Sequence, residues 1–454
     1  MTKNAIGSYQ LGECSASREV ADRVFYLCQD GRFVEARSLL AEDASDDPEI
    51  RLASGIVAYW EASSGRGEIQ TAKDILSRAA RLFSAEGDRD REAFANVYVG
   101  LCYMWQGQPT EALIWIGHAV RESADYSTQY IGLLSLAVVN CTQGRWRSAL
   151  DNLERLAGLV EAQECLSLIG RFYQHRAMAY RQGHADGEQG FLRLAIEDYE
   201  TASNYFEQAG NRGFEGKVLN NLAYLYIESN PRLAHIHIDR AISLQKSVND
   251  FIELAQAHDT EALIFLREGQ LKKAKRSIDK AIATMRVNDH RLWLPNLLIT
   301  RGRIYSQAKL VQLSKKDFAE AADIAEAAGD LPAAARAYLA AIESLVELVP
   351  VGDLIAMYRH ANRLTPDGNT KAAMRVMDRV SEIFATSLPE LAKTEHQQEA
   401  EIFRRAILDA KGSITKAATL VGLPRQTLAY NISTHHPELS SLLKPRRRRK
   451  KLLS

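Results

Sequence analysis

A pattern of small and large residues returns along the chain about every 34 residues, and it limits the possible folds more than any other feature. In Val99-Gly100-Leu101-Cys102-Tyr103, followed by Gly107, Ala112, Ile116 and Ala119, a small residue and an aromatic precede a glycine, and a small-large-small triplet follows it. The same offsets recur in Ala262, Phe265, Gly269, Ala274, Ile278 and Ala281, and in Ala137, Gly144, Ala149 and Leu153. An N-terminal copy runs Leu27, Gly31, Ala36, Leu40 and Pro48, and a variant without the glycine runs Leu222, Ala223, Tyr226, Ala234, Ile238 and Ala241. Spacings of three and four put each triplet on one helix face. Small residues there let two antiparallel helices approach, the large one plugs the gap between hairpins, and glycine supplies the turn.

No run of period-two alternation competes with this pattern, so the predicted class is all-α. The array resembles the tetratricopeptide repeat (TPR) family over roughly residues 18 to 345. The resemblance implies a solenoid of helical hairpins with a concave groove lined by the first helix of each pair. Copies near 55–82 and 172–210 need insertions, at Ser63 to Glu68 and Gly183 to Gly190, and the copy near 297–325 lacks its turn glycine. Two further helices are punctuated by Val349-Pro350-Val351-Gly352 and Pro366-Asp367-Gly368, which extends the predicted repeat domain to 18–386; residues 387–398, with Pro389, read as a linker.

In the predicted groove, Phe94, Val97, Leu101, Met104 and Trp105 form one apolar stripe and Ile131, Leu134 and Val138 the next. Such a stripe suits either a neighbouring helix or a bound peptide. Phe94, Leu101 and Trp105 are therefore candidate partner-binding residues. Asn221 joins them through the resemblance, because peptide-binding TPR proteins often use asparagine there to bond ligand backbone. The same surfaces, Phe94, Trp105 and Leu134, are the expected seat of a homodimer.

Lys+Arg and Asp+Glu balance at 57 each, yet the charge is uneven. From Lys411 onward there are ten basic residues against Glu438 alone, a net +9, which leaves −9 on residues 1–410. A basic end on an acidic body points toward nucleic acid. Within that end, residues 399–436 read as three short helices. The first is predicted over Glu399 to Ala410, with Ile402, Ala406 and Ile407 on its apolar face, closed by Gly412. Ser413 suits the cap of a second over Ile414 to Val421, Gly422 the tight turn, and Pro424 the first turn of a third. Ala417 and Ala418 are small where the second helix must cross the third, whose Leu428 and Ile432 face inward.

The string GSITKAATLVGLPRQTL is similar to the C-terminal DNA-binding domain of the Fis family, through Gly412, Ala417, Ala418, Gly422, Leu423, Arg425, Thr427 and Leu428. Ser413 and Val421 depart from its Asn and Leu. By helix-turn-helix geometry the third helix would enter the major groove with Arg425, Gln426, Ala429 and Tyr430. Arg425 suits guanine or phosphate, Gln426 adenine, and Ala429 a thymine methyl, with Thr427 and Tyr430 on phosphate. The run KPRRRRKK, with Arg446, Arg447, Arg448 and Arg449, is too charged to pack; residues 437–454 are read as a disordered basic tail that adds bonds to phosphate.

Other classes find little support. A composition of 46% hydrophobic and 25% charged residues suits a globular chain, not a disordered or membrane-embedded one. Cysteines 14, 28, 102, 141 and 165 form no C-x-x-C pair and are read as reduced, in a cytoplasmic protein. No phosphate loop, hydrolase elbow or metal-ligand motif stands out, so neither catalytic residues nor a metal or cofactor are expected. The expectation is a sequence-specific DNA-binding transcription regulator whose array senses a peptide or protein or mediates oligomerisation. The competing expectation is a TPR adaptor whose basic tail takes RNA or acidic partners without sequence preference.

Overall fold

The computed structural model describes residues 16–41, 47–288, 293–364 and 389–443, and every regular element among them is helical. The chain divides into two compact units, residues 1–361 and 362–454. That division precedes the predicted domain edge at 386. It falls at the end of helix α18 (Val351–Leu364), where Ala361 is buried.

The first unit is a row of helical hairpins. They pair as α1 (Ala16–Gln29) with α2 (Phe33–Ala41), α3 (Pro48–Ser63) with α4 (Ile69–Glu86), α5 (Arg89–Trp105) with α6 (Pro109–Glu122), and α7 (Tyr126–Thr142) with α8 (Trp146–Val160). The row continues with α9 (Leu166–Ala185) and α10 (Phe191–Gln208), α11 (Arg212–Ser229) and α12 (Pro231–Val248), α13 (Phe251–Arg267) and α14 (Leu271–Val287), α15 (Leu294–Gln307) and α16 (Val311–Ala327), then α17 (Leu331–Leu345). Odd-numbered helices lie beside one another along most of the row, and each second helix leans on the hairpin that follows.

The triplets do what their spacing predicts. Ala112, Ile116 and Ala119 are buried, as are Ala234, Ile238 and Ala241, and Ala274, Ile278 and Ala281. Asp88, Asp125, Asp250 and Asp330 cap α5, α7, α13 and α17 by accepting a backbone N–H, which fixes where each first helix starts. The copy lacking its glycine turns on Lys309, whose φ of 59° takes the left-handed conformation. There the Leu310 N–H donates to the Tyr305 carbonyl at 2.8 Å.

The second unit contains α19 (Pro389–Asp409), α20 (Ile414–Leu420), α21 (Arg425–Thr434) and a 3-10 turn (Pro437–Leu442). Residues 389–398, predicted as linker, are instead the first half of α19. A proline in the opening turn has no helical N–H to lose, so Pro389 starts this helix where it was expected to break the chain. The core is Phe403, Ala406, Ile407 and Ala410 against Ala417, Ala418, Leu428, Ile432 and Leu439. Ile402, expected on that face, is exposed, because Phe403, one residue on, points inward.

Candidate functional site

In the second unit, Gly422 at φ 71° closes the turn after α20, and the Leu423 N–H donates to the Ala418 carbonyl at 3.0 Å. Pro424 sits just before α21 rather than within its first turn, so Arg425 and Gln426 open the helix. Ser413 occupies the cap position of α20, but its hydroxyl makes no capping bond. Leu428 and Ile432 anchor α21 in the core, while Arg425, Gln426, Thr427 and Tyr430 are exposed and Ala429 is half-buried. Lys411, Thr415, Lys416 and Thr419 are exposed as well, which adds positive charge to this unit. His435 ends α21, and His436 is buried, with Nε2 3.1 Å from Glu399 Oε2 and its ring edge-on to Phe403. Arg446, Arg447, Arg448 and Arg449, with the rest of the run from Lys444 to Lys451, lie outside the described residues.

The apolar stripe of the first unit is core. Phe94, Leu101 and Leu134 are buried, as are Val97 and Ile131, because α3, α5 and α7 stack side by side and cover the faces predicted to line a groove. Trp105 is half-buried, and its Nε1 donates to Tyr59 Oη at 3.3 Å. Phe94 and Leu134 therefore cannot form the expected dimer surface. Asn221 is half-buried; its neighbour Asn220 is the one whose amide oxygen is buried and makes no hydrogen bond within the protein.

Side chains from α1, α5, α9 and the start of α11 form a buried polar cluster that sequence reasoning missed. Gln29, the last residue of α1, is fully buried and reaches far along the chain. Its Oε1 accepts from Arg171 Nη1 at 2.6 Å, its carbonyl accepts from Asn211 Nδ2 at 2.8 Å, and its Nε2 donates to Tyr98 Oη at 3.3 Å. Asn211 also donates to Ser167 Oγ at 3.1 Å and receives the Phe214 N–H at the start of α11. The Arg171 guanidinium lies 5.1 Å from the Trp60 ring centre and 5.8 Å from that of Phe214.

Burial dominates the electrostatics of this cluster. It lowers the pKa of Arg171, and it holds His175 down to about 3, with the charges of Arg171 and Lys217 adding to the effect. Burial also disfavours a charged Lys217, but Glu253, 2.7 Å away, outweighs it and raises that pKa. The sequence did carry one trace of the cluster: Arg171, Gln174 and His175 stand three and four apart on one face of a helix.

No family model and no curated protein matches the chain. Among solved structures, a Rap protein complexed with competence and sporulation factor is 13% identical, with a TM-score of 0.58, over 81% of this chain and 99% of that one. A signal-transduction ATPase (STAND) protein with a tetratricopeptide repeat sensor from Pyrococcus horikoshii is 12% identical, with a TM-score of 0.47, over 78% of this chain and 55% of that one. The first likeness shows a TPR-like helical-repeat fold. No helix among the described residues is long and apolar enough to cross a membrane.

Proposed function

We propose that this protein is a sequence-specific DNA-binding transcription regulator in which α21 reads DNA and the TPR-like unit receives a peptide or protein partner. The observation that carries the reading is the two-sided character of α21. Leu428 and Ile432 hold it against α19 and α20, and the opposite side presents Arg425, Gln426, Thr427 and Tyr430 to solvent. Helices so anchored, with polar residues at the exposed N-terminal end, suit insertion into a major groove. Arg425 then bonds guanine or phosphate and Gln426 adenine, while the basic surplus after residue 410 supplies sequence-independent attraction. For the array, support comes from the Rap protein of the same fold, whose structure is that of a complex with competence and sporulation factor.

The test is binding of the full chain to selected and scrambled DNA at fixed salt. Changing Arg425 and Gln426 to alanine should leave the fold intact, since both are exposed, and each base whose hydrogen bonds are removed should cost about 1 to 3 kcal/mol of discrimination. Equal affinity for selected and scrambled DNA would replace this reading with that of an adaptor whose basic end takes RNA or acidic partners irrespective of sequence.

A further inference from the structure

Three side chains on one face of α9 are each nine-tenths or more buried yet leave a polar atom unused. Arg171, Gln174 and His175 are 8%, 6% and 9% exposed, and Arg171 Nε, Gln174 Oε1 and His175 Nδ1 make no hydrogen bond within the protein. Their spacing of three and four residues directs them to one side of the helix. Among the described residues no carboxylate forms an ion pair with Arg171, and the nearby cation Lys217 already has Glu253. What Arg171 does have is a neutral carboxamide oxygen, that of Gln29.

A buried guanidinium without a counter-charge is costly, and its planar fork matches a carboxylate through two parallel bonds. The Gln29 carboxamide has the shape of a carboxylate but not its charge, and it offers the fork a single oxygen. Trp60 and Phe214 flank the guanidinium with apolar rings suited to the hydrocarbon beside a carboxylate. Tyr98 Oη stands ready on the other side of the carboxamide. Asn211 bonds the backbone carbonyl of Gln29 and not its side chain, so this tie between α1 and the start of α11 does not depend on the carboxamide.

We infer that Arg171 is the receptor for a carboxylate ligand, which takes the place of the Gln29 carboxamide and binds the guanidinium through both oxygens. The carboxylate belongs either to the C-terminus of a peptide or to a small organic acid. The inference rests on the reading of the repeat unit as a module that receives a partner, and it uses nothing of the DNA-binding reading.

The experiment is calorimetric titration and thermal unfolding of the full chain with three probes: sodium acetate, an N-acetylated alanine pentapeptide with a free C-terminus, and the same peptide amidated. The wild type should bind the free acid or acetate at least about tenfold more tightly than the amide. Tighter binding of the peptide acid than of acetate, by about tenfold, identifies a peptide terminus; equal binding identifies a small acid. Arg171→Gln should abolish the binding. Gln29→Glu supplies the carboxylate from within, so it should raise the unfolding temperature and weaken the probes at least about tenfold. The inference is overturned if neither carboxylate binds, if the amide binds as well as the acid, or if Gln29→Glu lowers the unfolding temperature. Should Arg171→Gln not fold, Gln29→Glu decides the matter. No DNA enters these titrations, so their failure alongside intact site-specific DNA binding would refute the carboxylate receptor alone.

Discussion

Arg91 and Glu49, 42 residues apart and each 7% exposed, are joined through Arg91 Nε to both carboxylate oxygens, at 2.7 and 2.9 Å, and through Nη2 to one of them. Asp22 of α1 accepts from the same Nη2 at 3.1 Å, so one guanidinium ties the first three odd-numbered helices together. Such a pair is expensive to break, because the surviving partner is left charged in a dry place. Glu49→Ala should cost about 3 to 5 kcal/mol, and the double replacement of Glu49 and Arg91 by methionine should recover much of it. Urea unfolding measures both; a loss below about 1 kcal/mol would place the pair in the weak class of solvated surface ion pairs.

Two glycines should respond to alanine in opposite directions. A Cβ on Gly302 would stand 2.9 Å from the Phe318 ring, at the crossing of α15 and α16. Gly302→Ala is therefore expected to destabilise by about 1 to 3 kcal/mol through overpacking. Gly158, in the exposed part of α8, has nothing within 4 Å of the same position. Gly158→Ala should stabilise by about 0.5 to 1 kcal/mol by restricting the unfolded chain. Thermal unfolding of both variants gives the signs directly.

His175 should leave a mark on the pH dependence of stability. Its pKa falls from 6.5 to about 3 in the fold, chiefly through burial. Below 6.5 the unfolded chain takes up a proton that the folded chain refuses, so stability is full above that pH and declines as pH drops toward the folded value. Between pH 6.5 and 5 the wild type should lose about 1 to 2 kcal/mol more than His175→Gln. Denaturant curves at several pH values compare the two; identical slopes would mean that His175 is protonated in the folded protein.

Removal of residues 445–454 takes away six basic side chains. Under the DNA-binding reading, affinity should fall alike on selected and scrambled DNA, and the slope of log affinity against log salt should shrink by about one for each phosphate no longer neutralised. Preference for the selected site should persist. A slope that does not change would assign phosphate binding to α20 and α21 instead.

The hairpin register was legible in the sequence because it depends on neighbours three and four residues away. Ala274, Ile278 and Ala281 could be assigned to one packed face with no knowledge of what covered them. The inward face of α21 was legible for the same reason, through Leu428 and Ile432. The meeting of Gln29 with Arg171 and Asn211 was not, since it joins residues 142 and 182 positions apart, far beyond the reach of any helical spacing. Phe94 and Leu101 were ambiguous on equally physical grounds: an apolar stripe looks the same whether its cover is a ligand or the next helix, and here it is the next helix. Pro389 misled because a proline both breaks a helix and begins one, and only the residues around it decide which.

The bonds from Gln29 to Arg171 and Asn211 span 142 and 182 residues. In a solenoid whose units touch only their neighbours, each hairpin can settle as soon as it leaves the ribosome. The tip of α1 cannot. At about 5 to 20 residues per second, synthesis of the chain from Gln29 to Asn211 occupies roughly 10 to 40 s, during which the Gln29 carbonyl lacks the Asn211 amide that it accepts from in the finished fold. The earliest segment to be made is thus among the last to be completed, and a nascent chain halted anywhere before α11 lacks the Asn211 bond to its first helix.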